Sequence, residues 1–201
     1  MYVNKNSTIA ISLMTILTLG PAVSLAATYS GEAAALKASA LGINVALADT
    51  GALPAGGGNL NTSLASVNLL GLASADALRS TTSGSGTSSQ SQSSIANLNL
   101  LGGLVAADVV KSNSSASCSG STAAATGNSE IVGLVAAGQP VLVSNPNLAI
   151  SLPGGITLRI NEQTSSSSGA NSGSMTVNGL HITGPSIDIV VSSAQSGITC
   201  A

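Results

Sequence analysis

Charge is what this sequence has least of. Among its 201 residues are five Lys or Arg, seven Asp or Glu and one His, so that charged residues make up 6% of the chain, against about a quarter of an average globular protein. Five cations cannot neutralise a track of phosphates. Aromatic residues are equally scarce, with two Tyr, no Trp and no Phe, so the platforms on which bases stack are missing too. Both absences exclude nucleic acid as a partner. A single His and two widely separated Cys exclude the Cys/His clusters that hold zinc. There is no Gly-x-Ser-x-Gly nucleophile elbow. The carboxylates are scattered, with no Asp-x-Asp and no calcium-loop spacing. No cofactor, metal ligand or catalytic residue is therefore assigned, and the chain is not read as an enzyme.

What remains is Ser, Ala, Gly, Leu and Asn. Hydrophobic residues reach 44%, enough apolar surface to bury and so to escape disorder. Much of it is Ala and small aliphatics, which predicts a thin, closely packed core. Low charge also removes the repulsion that keeps copies of a protein apart.

The first 26 residues read as a signal peptide. Lys5 precedes an apolar run over residues 8–20, Pro21 breaks it, and Ser24-Leu25-Ala26 supplies small residues for cleavage after Ala26. The alternative, a membrane anchor, needs about 20 apolar residues, more than this run provides. The mature chain, residues 27–201, is thus expected to be secreted or at the cell surface, with no membrane span after signal removal. In that setting an even cysteine count points to a disulfide, Cys118 to Cys200. The other reading is two unbridged thiols.

Three Ser/Gly/Asn-rich tracts, residues 80–94, 112–122 and 164–174, have linker-like composition and read as long loops. The apolar stretches between them read as strands. Leu41, Ile43, Val45 and Leu47 alternate with smaller residues, a period of two, and residues 31–40 run into them as extended chain. "ASVNLLGLASADALRS" (65–80) returns as "ANLNLLGGLVAADVVKS" (96–112), with a shorter echo, "LVAAGQPV", at 134–141. The pair Asp76/Arg79 recurs as Asp108/Lys111, read as acid and base pinning strand ends. Each copy reads as a bent strand or a strand pair with glycine at the kink. The C-terminal third alternates and is cut by Gly, Pro and Asn turns. The expected fold is an all-β single domain, a sandwich or jelly-roll-like, with long Ser/Gly-rich loops. The duplication makes a β-solenoid the alternative.

"PNLAISLPGGITLRINEQ" (146–163), then "TVNGLHI" (176–182) and "IVVSSAQSGITC" (189–200), together with "NLLGGLVAADVV", resemble the exported bacterial family called choice-of-anchor P. The resemblance covers most of the mature chain. It implies a β-rich cell-surface protein whose members differ in their attachment, and it brings no established reaction. Many members continue past the last Cys into a sorting signal, whereas this sequence stops at Ala201. Attachment is therefore expected to be non-covalent, or the protein is released, or it assembles with itself.

His181, the one histidine, lies on an alternating strand with Val177 and Gly179 on its own side and reads as a satisfied sheet residue. Arg159, Asn161, Glu162 and Gln163 read as a surface ion pair or hydrogen-bond ladder, with a partner-binding edge as the alternative. The functional expectation is an exported structural protein, a self-assembling subunit of an extracellular filament, matrix or surface layer. The proposed route is addition of an unpaired N-terminal strand to a neighbour's sheet. Leu41, Ile43, Val45 and Leu47 are the candidate strand-exchange residues. The partner is then another copy, with cell-wall or matrix contacts besides. The alternative is a monomeric adhesin or ligand-binding module.

Overall fold

The structure, a computed structural model, describes residues 26–40, 42–69 and 71–201. The signal-peptide assignment falls outside the described residues except at Ala26, and Leu41 falls outside them as well. Two antiparallel sheets pack face to face. Sheet A holds β1 (Thr28–Ala40), β2 (Ile43–Asp49), β10 (Leu148–Leu152), β11 (Ile156–Ser167), β12 (Ser172–Gly184) and β13 (Ile187–Thr199), in the order β10-β11-β12-β13-β1-β2. Sheet B holds β3 (Gly58–Leu69), β4 (Ala73–Ser85), β5 (Ser88–Leu100), β6 (Val105–Ser119), β7 (Thr122–Val132), β8 (Val135–Ala136) and β9 (Gln139–Pro140). β3 to β6 follow in chain order. β6 then pairs with β7 from Val109 to Ser119 and with β8 through Val105 and Ala106. The expected sandwich is present. Neighbours mostly follow chain order, as in a meander, so the crossed order of a jelly roll is not adopted.

The duplicated sentences are two strand pairs at one end of sheet B. The first runs from β3 into β4 and the second from β5 into β6. Gly71 (φ +73) and Gly102 (φ +67) sit in their turns, in the left-handed region that glycine enters without a Cβ penalty. The copies pair with each other through Ala73↔Leu100 and Ser74↔Asn99. The third echo lies beside the second, Val105↔Ala136 and Ala106↔Val135.

A crease crosses both sheets at one level. Facing residues drop out of the ladder there: Ala65/Ala77 between β3 and β4, Asn97/Asp108 between β5 and β6, and Asn161/Gly179 between β11 and β12. Ala48, Ala77, Asn97, Asn161 and Ser192 take φ between +46 and +54 at this level, as bulged residues do. The pairing register of these strand pairs is the same on both sides, but a residue turned to positive φ shifts the in-out alternation along its strand by one, so the side chains that face inward change beyond it. In β13, Ile189 and Val191 point into the core on one side of the crease, and Ser192, Ala194 and Ser196 on the other. In β12 the reversal puts Leu180 and Ile182 inside and turns His181 out, opposite to Val177 and Gly179. The reading that placed His181 on their side is corrected.

The crease divides the interior in two. One half is aliphatic, built on Leu36, Leu98, Leu100, Val105, Leu158, Ile160, Leu180, Ile182, Ile189 and Val191. The other is lined mainly by Ser, Thr, Ala and Gly, with Val177 and Ile198 among them. The tracts read as loops are strands of this second half: residues 80–94 form the end of β4, a turn and most of β5, and residues 112–122 lie mostly in β6. Residues 164–174 form the end of β11, a turn and the start of β12. In β4, β5 and β6 linker-like composition is overridden because alternate hydroxyls are buried, most of them bonded, whereas the serines at 165–167 stay exposed and are held by ladder pairing.

Candidate functional site

The serine half is a seam between the sheets. Across sheet B, Thr62, Ser80, Ser93, Ser112 and Ser129 form one row pointing at sheet A. Ser93 Oγ donates to Ala34 O at 2.9 Å, Ser89 Oγ to Ser30 O at 2.8 Å, and Ser114 Oγ to Met175 O at 2.7 Å. Ser91 Oγ donates to Gln195 O, and Ser192 Oγ returns the contact by donating to Ser93 O at 2.9 Å. A carbonyl has two lone pairs, so it can serve the ladder and the seam together. A single Cβ–Oγ arm reaches from a side chain to the facing backbone, so residues this small suffice to join the two sheets here. Glycine permits the closest approach: a Cβ on Gly179 would lie 2.4 Å from Val110 Cγ1. At the far end of this half, Cys118 on β6 is bonded to Cys200 just past β13, closing a separation of 82 residues. The expected disulfide is present and ties sheet B to sheet A.

The N-terminal segment is not free. β1 pairs with β13 along its length, from Thr28↔Thr199 to Ala40↔Ile187. Its other side is covered by β2 and, beyond that, by Thr50 N–H donating to Ala33 O and Leu53 N–H to Gly31 O. Ala33, Ala34, Ala35 and Leu36 are all buried. The expectation of an unpaired N-terminal strand is thus corrected: the last strand of the chain returns to pair with it. Of the exchange candidates, Ile43, Val45 and Leu47 lie on β2, which pairs only with β1 and is an edge of sheet A. Ile43 is 58% exposed.

The outer face of sheet A gathers charge. Lys37 bonds Glu32 and lies 4.0 Å from Asp49, flanking β2. On β11 to β13, Glu162 Oε2 accepts from His181 Nδ1 at 2.8 Å and from Asn178 Nδ2 at 2.8 Å. His181 Nε2 reaches Asp188 Oδ1 at 3.2 Å, and Arg159 lies 3.9 Å from Glu162. Gln163 Nε2 donates to Asn161 Oδ1 at 2.9 Å. The stretch read as an ion pair or hydrogen-bond ladder is such a ladder, with His181 at its centre. Lys37 and Asp188 line a depression together with Asn44 and Val190, while the two carboxylates on His181 occupy opposite ring nitrogens, an arrangement that orients the imidazole and offers no shared point to a metal. Among the described residues no group of three or more His, Cys, Asp and Glu is placed to hold one. The repeated acid/base pairs form no ion pairs: Asp76 instead accepts from Asn97 Nδ2 at 3.2 Å.

Sequence reasoning missed the edge of sheet B. Among the described residues β3, "GNLNTSLASVNL", pairs only with β4. It has no charge and no proline over 12 residues, and Leu64 on it is 38% exposed. The signal was present as an uncharged, alternating run. It is interpretable only once the strand order shows that no other strand among the described residues lies beside it.

The chain matches no protein-family model, no curated protein and no solved structure. Among the described residues no helix is long and apolar enough to cross a membrane.

Proposed function

We propose that this protein is an exported structural subunit that joins to copies of itself along the free edge of β3, building an extracellular filament, matrix or surface layer. One observation carries the reading. A 12-residue edge strand without Lys, Arg, Asp, Glu or Pro leaves about half its N–H and C=O groups directed outward and lacks the devices that normally keep such edges apart. β2, the edge bearing Ile43, Val45 and Leu47, is shorter and is flanked by the Glu32–Lys37–Asp49 charges, so it is the lesser candidate. The disulfide suits an oxidising compartment, and the resemblance to the choice-of-anchor P proteins supports a surface location. The protein's low charge opposes association weakly.

The test is electron microscopy of the purified mature protein beside a Ser63→Lys/Ser66→Lys variant, at two exposed positions whose partners Arg79 and Asp76 also face outward. The wild type is expected to form regular filaments or sheets. The variant is expected to remain dispersed with an unchanged melting curve, because two lysines at the edge repel a docking strand without touching the interior. Dispersed wild-type particles, or variant filaments like those of the wild type, would sink the proposal. A second reading, a ligand-binding surface module, draws on the outer face of sheet B.

A further inference from the structure

Strand register stacks the outward side chains of sheet B into rows that cross all five long strands. One row is Asn61, Thr81, Gln92, Asn113 and Asn128. The next is Asn59, Ser83, Gln90, Ser115 and Thr126. Every one of these ten positions carries an amide or a hydroxyl. Six are Asn or Gln, in a chain that has 20 such residues among 201, so the amides are concentrated on this face. Eight of the ten, all but Asn59 and Asn61, line a depression of about 510 Å³. Gln92 Nε2 donates to Asn113 Oδ1 at 2.8 Å, which fixes both amides and presents Gln92 Oε1 as an acceptor and Asn113 Nδ2 as a donor. Charge enters only in the row beyond, where Arg79, Lys111 and Glu130 align with Ser63 and Ser94. The opposite face of the molecule instead collects Glu32, Lys37, Glu162, His181 and Asp188.

We propose that these rows are a binding face for an extended, neutral polysaccharide laid across the strands. Amides and hydroxyls each offer both donors and acceptors, as the hydroxyl groups of a sugar do. Charge complementarity favours a neutral ligand: the two rows carry no cation for a polyanion and no anion for a polycation. The chemical period also agrees. Strands repeat about every 4.8 Å, close to the advance of one hexose ring along a linear glycan, so successive sugars meet equivalent groups. With no aromatic ring on the face, each sugar is held by hydrogen bonds alone, and affinity comes from repetition along the polymer. One molecule carries all five strands of both rows, so the site does not depend on assembly; joining along β3 would lengthen it.

The test uses the full mature chain. Its retention is measured on insoluble cellulose and chitin and in gels containing soluble neutral glucan, mannan or galactan. Heparin and polygalacturonate serve as anionic probes, each at low and high salt. The protein is expected to be retained by at least one neutral polysaccharide at both salt levels. Gln92→Ala/Asn113→Ala is expected to weaken retention about tenfold, the loss of one to two hydrogen bonds, with an unchanged melting curve. Thr157→Ala/Thr183→Ala, on the other sheet's outer face, is expected to bind as the wild type does. The proposal is overturned by retention on no neutral polysaccharide, by salt-sensitive binding to the polyanions only, or by a Gln92/Asn113 variant that binds normally. It is overturned too if that variant only changes sedimentation, which would assign the face to a second copy.

Discussion

At the scale of single residues, the serines of the seam are not equivalent, and the difference is measurable. Ser93 is fully buried, its hydroxyl donates to Ala34 O and lies 3.1 Å from Ser80 Oγ. Ser93→Ala is expected to cost roughly 1–2 kcal/mol in urea unfolding, because the hydrogen bond goes and the Ser80 hydroxyl loses a neighbour. Ser112 sits in the same row and is equally buried, yet among the described residues its hydroxyl has no partner. Ser112→Ala is expected to be neutral or stabilising, since it removes an uncompensated polar group. Equal destabilisation by the two substitutions would show that the hydroxyls contribute through volume and not through bonding. Gly179 gives the steric counterpart. Gly179→Ala forces a Cβ against Val110 and the Val191 carbonyl and is expected to cost about 1–3 kcal/mol. Combined with Val110→Ala, which removes the opposing methyl groups, the total loss is expected to fall short of the sum of the two single losses. Strict additivity would mean that the two residues do not meet.

At the scale of elements, the sandwich is held differently in its two halves. The aliphatic half is held by burial of Leu, Ile and Val. The seam has less such area, since most of its residues are Ser, Thr, Ala and Gly beside Val177 and Ile198, and it relies more on hydroxyl-to-carbonyl bonds and on the disulfide at its far end. Closing a loop of this length is worth about 4–5 kcal/mol in the chain-entropy account. Cys118→Ser/Cys200→Ser is expected to lower the urea midpoint by an amount corresponding to about 2–5 kcal/mol. Amide exchange should quicken most in the adjoining ends of β6 and β13 and least around Leu158 and Leu180. Uniform acceleration over both halves would contradict a seam held locally by the disulfide. Legibility differs by element in the same way. β12 and β13 declare themselves through alternating Ile, Val and Leu. β5 also alternates, as Ser89-Gln90-Ser91-Gln92-Ser93, but polar-with-polar alternation carries no hydrophobic signal and was indistinguishable from a linker. The amide rows and the hydroxyl rows are the two sides of that single pattern.

At the scale of the whole molecule, the chain closes on itself. β1 sits between β13 and β2, so sheet A is complete only when the last strand has been made and has found the first. Such non-local pairing slows folding. It also sets the outcome of deleting residues 27–40: the chain is expected to lose its cooperative unfolding transition and its dispersed amide spectrum, because an interior strand with four consecutive buried residues is gone. A truncated chain that still unfolds cooperatively would show that β1 is dispensable and would return it to the role of a strand given to a neighbour. Interior placement of β1 and the open edge of β3 belong to one arrangement: closing sheet A through the chain termini leaves sheet B with the long, uncharged border.

The sequence alone determined the all-β character, through period-two alternation broken by Gly, Pro and Asn, because strand geometry is local and imposes that period directly. It also determined that the two cysteines were the pair available for bridging and that glycine would turn each copy of the repeat. Tertiary structure decided the rest. Whether a serine is linker or core depends on what faces it across the sandwich, which no local pattern encodes. The side on which His181 lies depends on a crease that reverses the alternation partway along the strand. Whether a strand is an edge or an interior one depends on a partner that, for β1, lies at the other end of the chain.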